Sequence, residues 1–140
     1  MYTLTAQADF DSAHFLYGYE GKCSNIHGHR WHIEAKVTGE LVTEGQQRGM
    51  IVDFGDLKRD LKSIADSLDH ILIYEEGSLK PRTVDALNDE GFRILAVPFR
   101  PTAENLAKYI HDRMKGMGYR MVSLTVYETP GNSAEYSDAV

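Results

Sequence analysis

Cysteine is almost absent from this chain, which holds one thiol, Cys23, in 140 residues. A lone thiol cannot form a disulfide within the chain and is typical of a protein in a reducing compartment. No apolar run approaches roughly 18 residues, so we expect no membrane-spanning helix. The first residues have neither a basic start nor an apolar stretch, so we expect no secretion signal. These absences predict a soluble, cytoplasmic protein.

Clusters of basic residues are also missing, and the formal net charge is −6. A nucleic acid is therefore not expected as the main partner. A small anionic substrate would have to be held by a few placed cations, and the sequence alone does not choose among the candidates. Those candidates are Lys22, Arg30, Lys80, Arg82, Arg93 and Arg100. The otherwise ordinary composition, without repeats or linkers, predicts one globular domain over residues 1–140.

Alternating apolar residues predict the strands. The even positions of residues 2–10 are apolar, which indicates a half-buried strand, and the odd positions of residues 29–39 indicate a second. A turn over residues 44–49 precedes a third short strand at 50–52, and the two strands are predicted to form an antiparallel hairpin. Residues 121–128 alternate again as a last strand.

Capping residues and apolar spacing predict two helices. Asp53 is the expected N-cap of an amphipathic helix, and Thr102 is the expected N-cap of a second one. Residues 70–100 are the hardest to interpret, with a strand candidate at 93–97. This order of elements predicts an α+β domain, with one antiparallel sheet and two helices on one of its faces.

The stretch from Cys23 to His29 carries the strongest chemical signal. His27 and His29 are two residues apart, so in an extended segment both imidazoles point to the same side. Imidazole is the commonest protein ligand for zinc and similar metals, and Gly28 lets the backbone bend without a side-chain clash. The pair indicates half of a metal site with a thiol beside it.

The candidate third ligands are His14, His32, His70 and His111. His32 lies on the opposite face of its strand from His27 and His29, and His111 is expected at the surface of the second helix. If the first strand continues in register to His14, that imidazole lies on the buried face and joins the pair. Three histidines with one open position are typical of catalytic zinc sites. The alternative is that one or more of them only packs or caps.

The remaining polar candidates each have two interpretations. Cys23 is either a base near the metal or a small buried apolar side chain. Asp69 and His70 need not bond each other, and they serve either a proton relay or the end of the first helix. Glu128 continues an apolar strand face, so it either binds something or marks the exit to solvent. Glu104 lies in a first helical turn, where a surface carboxylate is favourable.

Six short motifs occur in a fixed order along nearly the whole chain. They are Phe10-Asp11-Ser12-Ala13-His14, Cys23-x-x-x-His27-Gly28-His29, Gly49-Met50-Ile51-Val52-Asp53-Phe54, Leu68-Asp69-His70, Pro101-Thr102-Ala103-Glu104-Asn105 and Tyr127-Glu128-Thr129. In this order they resemble the 6-pyruvoyl-tetrahydropterin synthase/6-carboxy-tetrahydropterin synthase family. Each motif alone is modest, but six in order are highly specific.

The resemblance implies the tunnelling fold. In that fold each subunit supplies a four-stranded antiparallel sheet and two helices to a trimeric barrel, and two trimers commonly stack as a hexamer. The zinc ligands that the resemblance implies are His14, His27 and His29. Cys23 is then the catalytic base rather than a ligand.

The resemblance also assigns roles outside the zinc set. Asp69 and His70 belong to the proton relay of the cysteine, which they reach because active sites lie between subunits. Glu128 anchors the pterin ring through its amino and ring N–H groups. Thr102 and Glu104 match a stretch that lies near the bound pterin.

The spacing within the second motif bears on the reaction. Three residues separate Cys23 from His27, as in the bacterial 6-carboxy-tetrahydropterin synthases of queuosine biosynthesis, whereas mammalian-type pyruvoyl synthases carry five. The resemblance therefore implies conversion of 7,8-dihydroneopterin triphosphate to 6-carboxy-5,6,7,8-tetrahydropterin, with release of acetaldehyde and triphosphate. The alternatives are 6-pyruvoyl-tetrahydropterin formation without carbon–carbon cleavage, and a zinc-binding protein without catalysis. The segment between His70 and Pro101 looks longer than in the shortest bacterial members, which leaves its fold open.

Overall fold

The computed structural model describes residues 1–138, which form six strands, three α-helices and a 3-10 turn at Lys22–Ser24. In chain order the strands and α-helices are β1 (Thr3–His14), β2 (His27–Thr38), α1 (Phe54–Leu68), β3 (Ile71–Glu75), α2 (Pro81–Asp89), β4 (Ile94–Val97), α3 (Ala103–Gly116), β5 (Arg120–Thr129) and β6 (Asn132–Tyr136). No helix within residues 1–138 has the length and apolar character needed to cross a membrane.

The six strands form one mixed sheet in the order β4-β3-β1-β2-β5-β6. The pairs β1–β2, β2–β5 and β5–β6 are antiparallel, whereas β3 pairs in parallel with both β1 and β4. The α+β class is confirmed, but the expectation of a four-stranded, wholly antiparallel sheet with two helices is wrong. Two parallel strands extend the sheet on one side, β6 extends it on the other, and α2 is a third helix.

The core lies between one face of the sheet and helices α1 and α3. Alternate residues of β1 and β2 are buried on this side, where Phe10 stacks on Trp31 with ring centroids 6.0 Å apart. The apolar stripes of α1 and α3 join them in a single cluster. We call this side, which carries Phe10 and Trp31, the core face, and the opposite side, which carries Asp9 and His32, the outer face. The predicted first strand continues in register to His14.

Both predicted helix N-caps are confirmed. The Asp53 carboxylate accepts a hydrogen bond from the backbone N–H of Gly55 at 2.6 Å, at the start of α1. The Thr102 hydroxyl accepts one from the backbone N–H of Asn105 at 3.2 Å, at the start of α3. Each side chain satisfies a backbone donor that has no partner within the helix.

The predicted strand at residues 50–52 and its hairpin with β2 are wrong. Residues 40–53 form a loop, which is closed where the N–H of Val42 bonds the carbonyl of Met50 at 2.8 Å. Both edges of β2 are already occupied, by β1 on one side and β5 on the other. A third strand after β2 therefore has no free edge of β2 to pair with.

The segment between α1 and α3 contains a parallel β3-α2-β4 unit. The strand candidate at 93–97 is confirmed as β4, and the short apolar run at 71–74 is the buried strand β3. Helix α2 crosses between them with Pro81 at its first position, which suits a helix start. None of its residues is fully buried, and it is only nine residues long.

Candidate metal and active site

The register of β1 and β2 brings three histidines together at one end of the core face. His14 pairs with His27, and Ser12 pairs with His29, in the antiparallel ladder. The ring centroids are 4.6 Å apart for His14 and His27, 5.2 Å for His14 and His29, and 4.9 Å for His27 and His29. Nearly equal separations mean that the three rings surround a common point rather than lying in a row.

Two of these rings are oriented by backbone carbonyls. The Nδ1 of His14 lies 2.7 Å from the carbonyl oxygen of Pro101, and the Nδ1 of His27 lies 2.7 Å from that of Asn25. A carbonyl oxygen only accepts, so Nδ1 carries the proton and donates in both contacts. The lone pair of each ring is then on Nε2, which is the tautomer that a metal ligand needs.

The inner nitrogens of the group lack hydrogen-bond partners. The Nε2 atoms of His14 and His29 are buried, and neither has a hydrogen-bond partner among residues 1–138. Burial lowers the pKa of both imidazoles, and for His29 this effect outweighs the nearby Glu128 carboxylate, which raises the pKa. Both rings are therefore held neutral, which is the form that binds a metal. A buried nitrogen without a partner is costly unless something occupies the space in front of it.

Strand β5 adds a carboxylate to the group. Glu128 follows the buried Leu124 and Val126 on the same face, and its Oε1 lies 3.0 Å from Nε2 of His29. One ligand atom from each of four residues lies within 4.8 Å of the others; the four are His14, His27, His29 and Glu128. Three imidazole nitrogens and a carboxylate oxygen suit a divalent ion such as zinc. The residues present therefore fit a metal site.

A cleft of about 700 Å³ lies mainly on the outer face, next to β3, and reaches His29. Its lining includes two histidines, His29 and His70. It also includes the cationic side chains of Arg30 and Arg93 and an apolar wall that contains Phe92. Arg30 is partly neutralised by Asp11 of the outer face, since the two side chains are 3.1 Å apart. The cleft thus offers both apolar surface and positive charge, and it reaches the histidine group only at His29.

Asp69 and His70 form a hydrogen-bonded pair immediately before the start of β3. One carboxylate oxygen of Asp69 accepts from the backbone N–H of Asp11 at 2.8 Å, and the other lies 2.8 Å from Nδ1 of His70. Adjacent residues of an extended chain would point apart, but His70 has a φ of 56° and turns its ring back. The backbone bond from Asp11, with a further contribution from His70, lowers the pKa of Asp69.

Cys23 lies apart from both the donor group and the cleft. It sits half-buried in the 3-10 turn between β1 and β2, and its carbonyl accepts from the N–H of Leu16 at 2.9 Å. Cys23 is neither in the four-residue donor group nor in the lining of the cleft, as far as residues 1–138 are concerned. Among residues 1–138, no hydrogen bond joins Cys23 to His70, whose ring bonds Asp69 instead.

The start of α3 lies next to the histidine group. Pro101, which accepts the bond from His14, immediately precedes Thr102, the N-cap of the helix. Glu104 lies exposed in the first turn of the same helix. Thr102 is thus adjacent in sequence to Pro101, which contacts His14. Glu104 does not belong to the four-residue donor group of the described chain.

The two remaining histidines lie elsewhere. His32 is on the outer face, with its Nδ1 2.7 Å from a carboxylate oxygen of Asp9. His111 is fully buried against Tyr136, with ring centroids 4.8 Å apart, so the expectation of a surface position is wrong. Strand β6, which the sequence pattern did not reveal, covers this ring and accounts for the difference.

Comparisons with known proteins agree with this architecture. The sequence profile of the family described as 6-pyruvoyl tetrahydropterin synthase matches residues 3–139. The chain is 34% identical to a protein of Haemophilus influenzae named 6-carboxy-5,6,7,8-tetrahydropterin synthase, over 99% of this chain and 100% of that protein.

Two solved structures share the fold at low sequence identity. An uncharacterized protein, WS1659, from Wolinella succinogenes has a TM-score of 0.76 at 21% identity, covering 99% of this chain and 98% of that one. The 6-pyruvoyl tetrahydropterin synthase of Caenorhabditis elegans has a TM-score of 0.68 at 22% identity, covering 99% and 96%. From the profile match and the full-length relative, the chain belongs to the 6-pyruvoyl tetrahydropterin synthase family.

Proposed function

We propose that this protein converts 7,8-dihydroneopterin triphosphate to 6-carboxy-5,6,7,8-tetrahydropterin, releasing acetaldehyde and triphosphate, as a cytoplasmic step of queuosine biosynthesis. The observation that carries the proposal is the convergence of His14, His27 and His29, two of which have buried Nε2 atoms without hydrogen-bond partners. The relatives that are named 6-carboxy-5,6,7,8-tetrahydropterin synthase support the choice of product. The spacing of three residues between Cys23 and His27 supports it as well.

The three histidines are the proposed zinc ligands. Their Nε2 atoms are the available donors, because the Nδ1 atoms of His14 and His27 are already bonded to backbone carbonyls. When bound, zinc would supply Lewis-acid polarisation of the hydroxyl groups on the substrate side chain. Burial favours the neutral form of the His14 and His29 imidazoles by lowering their pKa values, and backbone carbonyls orient the rings of His14 and His27. Such outer bonds strengthen metal ligands.

Cys23 is the proposed base, and the pair Asp69 and His70 is the proposed proton relay. Asp69 holds Nδ1 of His70, so Nε2 of that ring faces away from Asp69 and is available to exchange protons. Because Cys23 lies outside the cleft that His70 lines, base and relay would meet across a boundary between subunits. We therefore include a homo-oligomer, a trimer or hexamer, in the proposal.

The pterin ring is the proposed ligand of Glu128, with Thr102 and Glu104 nearby. A carboxylate accepts two N–H groups side by side, which matches the amino and ring N–H groups along one edge of a pterin. Glu128 lies beside His29, so a ring held there would place its side chain next to the metal.

An assay of acetaldehyde tests the proposal. Purified, zinc-loaded protein is incubated with 7,8-dihydroneopterin triphosphate, and acetaldehyde and the pterin products are quantified together. We expect equal amounts of acetaldehyde and 6-carboxy-5,6,7,8-tetrahydropterin, and neither from the His29→Ala variant. A tetrahydropterin product without acetaldehyde would mean 6-pyruvoyl-tetrahydropterin synthesis instead. No turnover by folded, zinc-loaded protein would mean a zinc-binding protein without this activity.

A further inference from the structure

Glu128 lies closer to the histidines than a purely substrate-binding role requires. Its Oε1 is 3.0 Å from Nε2 of His29, and it belongs to the group whose ligand atoms lie within 4.8 Å of one another. The cleft that reaches His29 does not include Glu128 in its lining. A role limited to holding a pterin ring does not account for a carboxylate among the imidazoles.

The backbone around Glu128 is shaped to aim this side chain. The β5–β6 ladder is irregular between Tyr127 and Thr129, which are the residues on either side of it. Such bulges re-aim side chains and are frequent next to active sites. Leu124 and Val126 are buried on the core face of β5, and Glu128 continues that face towards the histidines.

The contact between Glu128 and His29 is not an ordinary hydrogen bond. The two atoms are 3.0 Å apart, yet the buried Nε2 has no hydrogen-bond partner within residues 1–138. In a hydrogen bond the ring N–H points at the oxygen, whereas two ligands of one ion both point at the ion. Tetrahedral zinc ligands at about 2.0–2.1 Å from the ion are roughly 3.3 Å from each other, which is close to the separation here.

We propose that Glu128 is a fourth protein ligand of the metal in the substrate-free enzyme. This inference rests on the proposed function. It adds Glu128 to the three histidine ligands and has Glu128 leave the metal when the substrate binds. A carboxylate has two oxygens, and both are used when it accepts the amino and ring N–H groups of a pterin. Pterin binding therefore draws Glu128 away from the metal and opens a coordination position, so that recognition of the ring exposes the metal to the side chain.

Zinc affinity is the first test, because it does not depend on turnover. The zinc dissociation constants of wild type, Glu128→Gln and His29→Ala are measured by competition with a chromophoric chelator, with folding checked by circular dichroism. We expect Glu128→Gln to weaken zinc binding at least about tenfold, since changes around metal ligands already cost 10–100-fold. Glu34→Gln is the matched control, because Glu34 also lies beside a histidine, 3.4 Å from His32, but outside the donor group. We expect its zinc affinity to equal that of wild type.

The second test uses the wild-type protein alone. Bound Co²⁺ has a visible absorption that depends on its coordination, and unsubstituted pterin has no side-chain oxygens that could reach the metal. We expect pterin to change the Co²⁺ spectrum of wild type, because Glu128 leaves the metal for the ring. The same addition should leave the spectrum of Glu128→Gln unchanged.

The outcomes separate this inference from the proposed function. An unchanged zinc affinity in Glu128→Gln, with zinc lost in His29→Ala, overturns the fourth ligand and leaves the proposed function standing. If saturating pterin leaves the Co²⁺ spectrum of wild type unchanged, Glu128 does not move from the metal to the pterin ring, and that part of the inference is wrong. A wild-type protein that binds no zinc overturns both the inference and the proposed metal site.

Discussion

The two faces of β1 and β2 place their histidines in different surroundings. On the outer face, both nitrogens of His32 lie near carboxylates, at 2.7 Å from Asp9 and 3.4 Å from Glu34. On the core face, His14 and His29 present buried Nε2 atoms that have no hydrogen-bond partner within residues 1–138. The same two strands therefore hold one histidine with carboxylates beside both nitrogens, and two histidines with a buried Nε2 that has no hydrogen-bond partner within residues 1–138.

This difference explains why counting histidines does not locate a metal site. The nitrogens of His32 lie beside carboxylates on the outer face, away from the three histidines of the core face. A buried ring whose outer nitrogen donates to a backbone carbonyl has one lone pair directed inward, as in His14 and its bond to Pro101. The bonds that surround each ring, more than its position in sequence, distinguish the two faces.

Removing one histidine from each face is the strongest test of this comparison. We expect His29→Ala to weaken zinc binding by more than about 100-fold, because loss of a ligand should exceed the 10–100-fold cost of changing an outer partner. Activity should disappear with the metal. We expect His32→Ala to bind zinc as wild type does, because its nitrogens already have carboxylate partners.

The measurement is zinc content after dialysis, with the dissociation constant from chelator competition. Thermal unfolding of the metal-free proteins controls for general damage, since both substitutions remove a strand histidine. Equal zinc loss in His29→Ala and His32→Ala would contradict the distinction between the two faces.

A substitution of Cys23 tests whether catalysis can be lost while the metal site remains intact. We expect Cys23→Ala to lower kcat by about 10²–10⁴-fold, which is the usual contribution of a positioned base. Zinc affinity should not change, because Cys23 lies outside the donor group. Ser24→Ala is the matched control in the same 3-10 turn, and its kcat should be that of wild type. A weaker zinc affinity in Cys23→Ala would make the thiol a ligand instead.

The histidine group is the part of the site that strand periodicity could predict. Alternation over residues 2–10 sets the face of His14 four residues further on, and the same rule excludes His32. Both predictions depend only on local register within one strand. The packing of their faces against α1 and α3 follows from the apolar stripes of those helices.

Other features depend on contacts that no local pattern encodes. The approach of Glu128 to His29 requires the β2–β5 pairing between distant segments and an irregular ladder at Tyr127–Thr129. The apolar run at 93–97 predicts β4, but the parallel pairing of β3 with β1 and β4 joins segments that no local pattern connects. His111 is buried against Tyr136 of β6, a strand that the sequence pattern does not reveal. The bond between Asp69 and His70 depends on a single left-handed residue.

Asp69 gives the smallest expected effect and concerns the other carboxylate–histidine pair. Its carboxylate bonds the backbone N–H of Asp11 and the ring of His70, which lowers its pKa. A charged hydrogen bond of this kind contributes up to about 3 kcal/mol, but the side chain is 37% exposed, so we expect Asp69→Asn to cost about 1 kcal/mol. The measurement is urea unfolding of the metal-free proteins at pH 7. Zinc affinity should not change, since the pair contributes no metal ligand.

The pH dependence distinguishes this bond from a loss of packing. An aspartate with a lowered pKa in the folded state contributes stability above its unfolded pKa of about 3.9 and loses that contribution as the pH falls through the folded value. The difference between wild type and Asp69→Asn should therefore shrink below about pH 4. If the same difference persists at pH 3, the cost of the substitution comes from shape and not from the carboxylate. The bond between Asp69 and His70 would then contribute nothing to stability. His32 would be the remaining example of a histidine held by a carboxylate, in contrast to the core-face histidines.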